Sequence, residues 1–176
     1  MKNRAVFLDR DGVINIDHGY TINIDDFEFI DGVFECCKKL QDMGYLLVIV
    51  TNQSGVARGF YTEQQLATLH QWVIRQFADN GVDIAAIYYC PHHAEQGSGE
   101  YLQACNCRKP KPGMLLQAAA DLDIDLSQSV IIGDKESDLR AGKNAGLQSL
   151  ILVGDKLKQS PLADEQYASL ADWLLR

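Results

Sequence analysis

"VFLDRDGVIN", residues 6–15, joins a predicted strand to a cluster of charges. It runs from an apolar segment directly into two aspartates, Asp9 and Asp11, which are separated by Arg10. Two like charges at the end of a buried strand are explained either by a solvated turn or by a site that uses both carboxylates. The Asp-x-Asp pattern alone does not decide, because this acidic chain repeats it in "DLDID", residues 121–125. The rest of the chain has to distinguish the two interpretations.

The composition predicts a single globular domain over residues 1–176, with 47% hydrophobic and 23% charged residues. The net charge of −8 and the lack of a Lys/Arg run disfavour a nucleic-acid partner. We find no signal peptide and no apolar run long enough to span a bilayer, and therefore expect a cytoplasmic protein without a membrane partner. No pattern indicates an oligomer interface, so we expect a monomer.

Short apolar runs predict five strands, at residues 5–8, 46–50, 85–89, 129–132 and 149–153. Helical signals fill the segments between and after them, at residues 31–43, 62–81, 112–122, 136–146 and 162–175. Strands that are apolar on both faces and alternate with helices are typical of a parallel sheet covered on both sides. The chain is therefore predicted to form a Rossmann-like three-layer α/β/α sandwich around a central parallel sheet.

Polar residues follow the predicted strands directly. Asp9 and Asp11 come after the first strand, Thr51 after the second, and Asp134 after the fourth. In open parallel sheets ligands bind at the carboxyl ends of the strands. We therefore expect these side chains to converge on one edge of the sheet, which the residues of "DLDID" would not do.

The converging residues match the requirements of phosphoryl transfer. Asp9 is the candidate nucleophile, and Asp11 is the candidate general acid/base for the leaving alkoxide and the attacking water. The Thr51 hydroxyl and the Lys109 ammonium are candidates for stabilising the phosphoryl oxygens. A catalytic Mg²⁺ needs hard oxygen ligands, which Asp9, Asp134 and the backbone carbonyl of Asp11 would supply.

A second predicted metal site lies in one loop, about residues 90–107. Its pattern is C-x-H…C-x-C, a Cys₃His set typical of structural Zn²⁺, formed by Cys90, His92, Cys105 and Cys107. His93 is the competing imidazole. The loop has few apolar residues with which to hold itself together, which favours a metal over incidental thiols.

Four motifs carry a resemblance to a known family: "FLDRDGVIN", "VIVTNQSGV", "RKPKPGM" and "IIGDKESD". In this order, over residues 7–138, they resemble the motifs of the haloacid dehalogenase (HAD) superfamily of phosphatases. The resemblance implies a HAD-like fold with a minimal cap and a phosphoric monoester hydrolase that forms an aspartyl-phosphate. It favours Lys109 over Lys111 as the phosphate-facing lysine. Asp138 matches an acidic position of the fourth motif, either as a metal ligand or as a residue that orients Lys135 or a metal-bound water.

Within the superfamily, "DHGYT" at 17–21, "TNQSGVARGFYT" at 51–62 and the zinc loop are similar to the D-glycero-D-manno-heptose-1,7-bisphosphate 7-phosphatase family. That resemblance implies a small phosphorylated sugar as substrate and hydrolysis of its C7 phosphate, a step in the synthesis of nucleotide-activated heptose for lipopolysaccharide. It also implies a set of substrate contacts: Asp17, His18, Gly19, Tyr20, Thr51, Asn52, Gln53, Ser54, Arg108, Lys109 and Lys135.

Three alternatives compete with this function. Histidinol-phosphate phosphatases share the superfamily motifs and a similar zinc loop. A catalytically silent, zinc-stapled binding protein is disfavoured because Asp9, Asp11, Lys109 and Asp134 are all intact. A nucleic-acid 3′-phosphatase is disfavoured by the acidic balance of the chain.

Overall fold

The central sheet has six parallel strands. The computed structural model of the protein describes residues 1–156 and 159–175. The strands are β1 (Ala5–Leu8), β2 (Leu46–Asn52), β3 (Ile84–Cys90), β4 (Val130–Gly133), β5 (Ser149–Val153) and β6 (Glu165–Tyr167). Their order across the sheet is β3-β2-β1-β4-β5-β6, and every neighbouring pair is parallel. The predicted parallel sheet is confirmed, and β1, the strand of the opening motif, lies in its middle.

The four connections from β1 to β5 each contain an α-helix. They contain α1 (Val33–Asp42), α2 (Glu63–Asp79), α3 (Gly113–Leu122) and α4 (Glu136–Ala145), and α5 (Leu170–Leu174) follows β6. Three short 3₁₀ helices lie at Ile24–Asp26, Gly99–Tyr101 and Leu126–Gln128. The capping box predicted at the start of α2 is present, since the Thr62 hydroxyl accepts a hydrogen bond from the Gln65 N–H at 3.1 Å. No helix in the described residues is both long and apolar enough to cross a membrane.

Both faces of the sheet are buried, as the continuous apolar strands predict. Val6 and Leu8 of β1 pack into the core shared with α1, α2 and α5, whereas Ala5 and Phe7 pack into the core shared with α3 and α4. Successive side chains of a strand point to opposite faces, so one short strand serves both cores. Burying a side chain such as Phe7 stabilises the fold by about 1.5–3 kcal/mol.

The C-terminal segment corrects one prediction. Residues 162–175 were expected to form a single amphipathic helix, but the helix covers only Leu170–Leu174, and β6 precedes it. The physical reason is the open edge of β5, whose backbone pairs with β6 through Ile151↔Glu165 and Val153↔Tyr167. Pairing along an exposed strand edge satisfies backbone groups on both segments, which outweighs the helical pattern of the side chains.

The segments that could carry a cap are short. Between β1 and α1 the chain forms a loop with one 3₁₀ helix, and between β3 and α3 it forms the loop that contains the predicted zinc ligands. The minimal cap is therefore confirmed for the described chain. The carboxyl edge of the sheet is bordered by these two loops and by the segment that joins β2 to α2.

Candidate active site

The carboxyl ends of β1, β2 and β4 bring the predicted catalytic residues together. Asp9 follows β1, Thr51 lies near the end of β2, and Asp134 follows β4. The Asp9 N–H continues the sheet by donating to the Ile132 carbonyl at 3.1 Å. All three of these side chains are buried. The sheet itself therefore fixes the position of the candidate nucleophile.

Lys109 lies in the middle of this group and is only 3% exposed. Its Nζ lies 3.0 Å from Asp9 Oδ1 and 2.6 Å from Asp138 Oδ1, and it donates to the Val50 carbonyl at 2.8 Å. Burial by itself would lower the pKa of Lys109, but the carboxylates of Asp138 and Asp9 raise it above its ordinary value. Lys109 therefore carries a fixed positive charge directly beside Asp9.

Lys109 is held at its backbone by Asn52. The Lys109 N–H donates to Asn52 Oδ1 at 3.0 Å, and the Asn52 amide donates back to the Lys109 carbonyl at 3.2 Å. Lys111, the alternative phosphate-facing lysine, is exposed. The structure thus places Lys109, and not Lys111, against Asp9, and it uses the Asn52 amide to position Lys109.

Asp134 has the features of a metal ligand. Neither of its carboxylate oxygens accepts a hydrogen bond within residues 1–156 and 159–175, although both are buried, and Lys156 Nζ approaches Oδ2 at 3.3 Å as an ion pair. Burial raises the pKa of Asp134 and, together with the Asp138 charge, that of Asp9. Oxygens of Asp9, Asp134 and Asp138 lie within 4.8 Å of one another. A hard divalent cation fits this set of carboxylate oxygens, of which those of Asp134 accept no hydrogen bond in the described residues.

Asp138 is placed differently from Asp134. Its Oδ1 pairs with Lys109, and its Oδ2 accepts the Lys135 N–H at 3.2 Å. Both oxygens are therefore engaged in holding protein groups. The sequence left two roles open for Asp138, a metal ligand or a residue that orients its neighbours. This geometry favours the orienting role.

Four hydrogen bonds fix the carboxylate of Asp11. Oδ1 accepts from Arg10 NH2 at 2.9 Å, from Arg10 Nε at 3.3 Å and from Asn15 Nδ2 at 3.0 Å. Oδ2 accepts from Gln53 Nε2 at 3.1 Å. The sequence did not single out Arg10 or Asn15, although an arginine between the two aspartates of a buried strand end was a usable signal.

An open cleft of about 530 Å³ lies above these residues. Nine of the eleven predicted substrate contacts line it: Asp17, Gly19, Tyr20, Asn52, Gln53, Ser54, Arg108, Lys109 and Lys135. Asp11 also lines it, together with Tyr61, Pro110 and Ser137, which the sequence did not indicate. A sugar phosphate that entered this cleft would meet Asp11 and Lys109 at its base.

The other two predicted contacts lie outside the cleft lining. His18 is exposed, and its Nε2 lies 3.1 Å from a carboxylate oxygen of Glu28. Thr51 is buried beneath Gln53, whose Nε2 donates to the Thr51 hydroxyl at 2.9 Å. The structure therefore brings Thr51 to the site from below and turns His18 away from it.

Two further side chains contact residues of the site. The Tyr61 hydroxyl donates to Gln53 Oε1, and burial raises the pKa of Tyr61 to about 12. Lys156 Nζ lies 2.6 Å from Asp17 Oδ2. Burial by itself would raise the pKa of Asp17, but the hydrogen bonds from Lys156 and from the Gly19 N–H, together with the lysine charges, lower it. Lys156 follows β5 as Asp134 follows β4, so its place after a strand could have identified it, whereas no sequence signal marked Tyr61.

The four predicted zinc ligands form one cluster. The sulfur of Cys90 lies 3.5 Å from that of Cys105 and 3.7 Å from His92 Nδ1, and the Cys107 sulfur lies 3.4 Å from His92 Nδ1. Tetrahedral ligands of Zn²⁺ are separated by roughly 3.5–3.8 Å, so these three distances fit the ion. The Cys90 and Cys107 sulfurs, at 2.8 Å, would have to separate by about 1 Å to accept it. His93, the competing imidazole, is instead bound through Nδ1 to the N–H groups of the following turn.

The zinc loop is joined to the active site by hydrogen bonds. The carbonyl of Cys90 accepts the Gln53 N–H at 2.8 Å, and the Gln53 side chain in turn reaches Asp11. On its outer side the loop is fastened to the start of α2, because the Tyr101 hydroxyl donates to Glu63 at 2.7 Å. A disturbance at the sulfur cluster would therefore reach the cleft through Gln53.

Comparisons with known proteins agree with this geometry. Residues 106–172 match the profile of the HAD-hydrolase-like family. The chain is 58% identical over 153 residues to the D-glycero-beta-D-manno-heptose-1,7-bisphosphate 7-phosphatase of Vibrio cholerae, covering 87% of this chain and 82% of that protein. It is 49% identical over 171 residues to the phosphatase of the same name from Escherichia coli K12, covering 97% of this chain and 87% of that one.

A solved structure gives the same result. The D,D-heptose 1,7-bisphosphate phosphatase from B. bronchiseptica, complexed with magnesium and phosphate, is 32% identical and superposes with a TM-score of 0.83, covering 98% of this chain and 96% of that one. The four ordered motifs, the HAD-like fold and relatives of this similarity lead to one conclusion. The chain belongs to the D-glycero-beta-D-manno-heptose-1,7-bisphosphate 7-phosphatase family of HAD-like hydrolases and is a phosphoric monoester hydrolase.

Proposed function

We propose that this enzyme hydrolyses the C7 phosphate of D-glycero-D-manno-heptose 1,7-bisphosphate and leaves heptose 1-phosphate for the synthesis of nucleotide-activated heptose. The observation that carries the proposal is the cleft that is lined by Asp17, Gly19, Tyr20 and Arg108 and also by Lys109, which pairs with the buried Asp9. The names of the curated relatives support the substrate and point to the β anomer. The single domain, the monomeric state and the cytoplasmic location stay predictions.

In the proposed reaction Asp9 attacks phosphorus, the bond to the sugar oxygen breaks, and Asp11 gives its proton to that oxygen. Water then attacks the aspartyl-phosphate, gives a proton to Asp11, and releases inorganic phosphate and free Asp9. The Lys109 ammonium, 3.0 Å from Asp9 Oδ1, is placed to balance the negative charge of the phosphoryl group. We assign to the Thr51 hydroxyl a hydrogen bond to the same phosphoryl group.

Asp9, Asp134 and the backbone carbonyl of Asp11 are proposed to hold Mg²⁺. The buried oxygens of Asp134 support this assignment. Lys156 pairs with Oδ2 at 3.3 Å, but neither oxygen accepts a hydrogen bond in the described residues, and a buried carboxylate without hydrogen-bond donors is costly unless a cation is bound. When bound, Mg²⁺ neutralises charge that develops on the phosphoryl group. Zn²⁺ is assigned a structural role in the Cys90, His92, Cys105 and Cys107 cluster, which leaves no open coordination position.

Gly12 provides a test of the magnesium site. A Cβ at Gly12 would lie 2.1 Å from Asp134 Oδ2, and the residue has a φ of +92°. We expect Gly12→Ala to displace the Asp134 carboxylate, to raise the Mg²⁺ concentration needed for activity, and to lower kcat roughly 100-fold. The measurement is phosphate release against Mg²⁺ concentration.

Gly146→Ala is the matched control for that substitution. Gly146 has a φ of +82°, and nothing lies within 4 Å of a Cβ built on it. It carries the same backbone strain, of about 1–3 kcal/mol, without a clash at the site. An unchanged Mg²⁺ dependence in Gly12→Ala would contradict the placement of the ion at Asp134.

A substrate panel tests the proposed function. Phosphate release is measured for the α and β anomers of heptose 1,7-bisphosphate, fructose 1,6-bisphosphate and histidinol phosphate, with and without Mg²⁺. We expect kcat/KM for a heptose bisphosphate to exceed the others by about tenfold or more, and activity to disappear without Mg²⁺. Equal or better turnover of histidinol phosphate would overturn the sugar assignment.

A further inference from the structure

Arg10 is a fully buried arginine, 0% exposed, between the two catalytic aspartates. Arginine is almost never fully buried unless its charge is paired and its N–H groups are satisfied. In the proposed reaction the backbone N–H of Arg10 donates to Asp9 Oδ1 at 2.9 Å, but its side chain touches no reacting atom. The side chain points back into the protein, to Asp11 Oδ1, His70 and the Thr21 carbonyl. Its burial therefore needs a separate explanation.

The two oxygens of Asp11 are occupied unequally. A carboxylate offers about four lone-pair directions, two on each oxygen. Oδ1 already receives three N–H groups, two from Arg10 and one from Asn15, so it has no position left for a proton. Oδ2 receives one N–H, from Gln53, and keeps a lone pair free. Because Asp11 lines the cleft, the oxygen available to a substrate is Oδ2.

We propose that Arg10 is a positioning residue that holds Asp11 by Oδ1, so that the proton of the general acid/base is carried by Oδ2. The inference rests on the proposed role of Asp11. In the first step the proton on Oδ2 moves to the sugar oxygen as its bond to phosphorus breaks and the Asp9–phosphorus bond forms. In the second step water gives a proton back to Oδ2 as it attacks phosphorus, and the Asp9–phosphorus bond breaks.

The guanidinium of Arg10 is itself anchored on three sides. NH1 lies 3.1 Å from His70 Nε2 on α2, NH2 donates to the Thr21 carbonyl at 3.0 Å, and the group lies over the Phe27 ring at 5.6 Å. Burial, and then the Arg10 charge, lower the pKa of His70 to about 3, so the ring is neutral and Nε2 accepts the hydrogen bond. A lysine could not reproduce this planar set of donors. The guanidinium thus connects Asp11 to two other parts of the chain. These are α2, through His70, and the segment that follows residues 17–20, through the Thr21 carbonyl.

The test uses the different need of two substrates for a general acid. An alkyl phosphate such as heptose 1,7-bisphosphate has a poor leaving group that must be protonated, whereas p-nitrophenyl phosphate has a leaving group that hardly needs it. We expect Arg10→Lys to lower kcat/KM for the sugar phosphate roughly 100-fold and for p-nitrophenyl phosphate less than about 5-fold. The quantity kcat/KM reports on steps up to the transfer to Asp9, so the later hydrolysis does not mask the difference.

Two further variants keep the test decisive. Asn15→Ala removes the third donor to Oδ1 and serves if Arg10→Lys does not fold by circular dichroism; we expect a smaller loss with the same selectivity for the sugar phosphate. Arg75→Lys, at an exposed position of α2, is the matched control and should leave kcat/KM unchanged for both substrates. Equal losses on both substrates, or no loss on either, would overturn the inference.

The same data separate this inference from the proposed function. Turnover of heptose bisphosphate by the wild type tests the proposed function. The loss in kcat/KM for the alkyl phosphate relative to the aryl phosphate tests the role of Arg10. If the wild type instead prefers histidinol phosphate, that ester is also an alkyl phosphate and replaces the sugar in the comparison. A selective loss on it would support the role of Arg10 even though the sugar assignment had failed.

Discussion

Asp9→Asn is expected to lower phosphate release by roughly 10⁴-fold or more, because an amide oxygen is a poor nucleophile and no phosphoenzyme can form. The fold should survive the change. Asp9 is buried, and both burial and the Asp138 charge raise its pKa, so a neutral side chain removes an unfavourable buried charge. Lys109 keeps its partner Asp138 at 2.6 Å. We therefore expect a Tm equal to or above that of the wild type together with the loss of activity.

The control is Asp79→Asn, which changes the same group at an exposed position at the end of α2. It should leave both the Tm and the rate unchanged. Near-normal hydrolysis by Asp9→Asn would exclude Asp9 as the nucleophile. A loss of activity accompanied by a collapse of the Tm would point instead to a structural role for the carboxylate.

Removal of Zn²⁺ is expected to have the second largest effect. Cys107 is followed directly by Arg108 and Lys109, so a metal held by the four Cys/His ligands would fix the segment that carries both cations to the cleft. Structural zinc stabilises small folded units by about 10 kcal/mol or more in model peptides, and this loop has little apolar material to replace it. We expect a demetallated, Mg²⁺-replete enzyme to lose at least about tenfold in kcat/KM and to unfold at a lower temperature.

Cys107→Ser should reproduce these losses and reduce the zinc content. Cys36→Ala is the control, because Cys36 is a buried residue of α1 and lies outside the Cys/His cluster. It should retain one zinc per chain whatever its effect on stability. Full activity of the zinc-free enzyme in the presence of Mg²⁺ would contradict the claim that the zinc loop positions Arg108 and Lys109.

The fold was largely predictable because its signals are local and strong. The apolar runs at residues 5–8 and 149–153 coincide with β1 and β5, and the capping box marks the start of α2. The exception is β6, whose residues "EQY" are polar and sit in a helical pattern. Such a strand is determined by the edge of β5 that it covers, which is a property of the tertiary structure.

Less of the site than of the fold could be predicted from the sequence. Residues that follow strands, such as Asp9 and Asp134, could be located because parallel strands end at one edge. The contacts among the side chains could not, since Gln53 and Asn52 were expected to face the sugar, whereas their amides also hold Asp11 and the Lys109 backbone. The burial of Arg10 depends on His70, which is distant in sequence and reaches the site only through the fold.

The most direct test of the central claim is the identity of the product. The enzyme is mixed with D-glycero-β-D-manno-heptose 1,7-bisphosphate and Mg²⁺, and the reaction is followed by ³¹P nuclear magnetic resonance. We expect the C7 phosphate resonance to be replaced by that of inorganic phosphate while the C1 resonance persists as that of heptose 1-phosphate. Release of the C1 phosphate first, or no hydrolysis of either ester by an enzyme that cleaves histidinol phosphate, would contradict it.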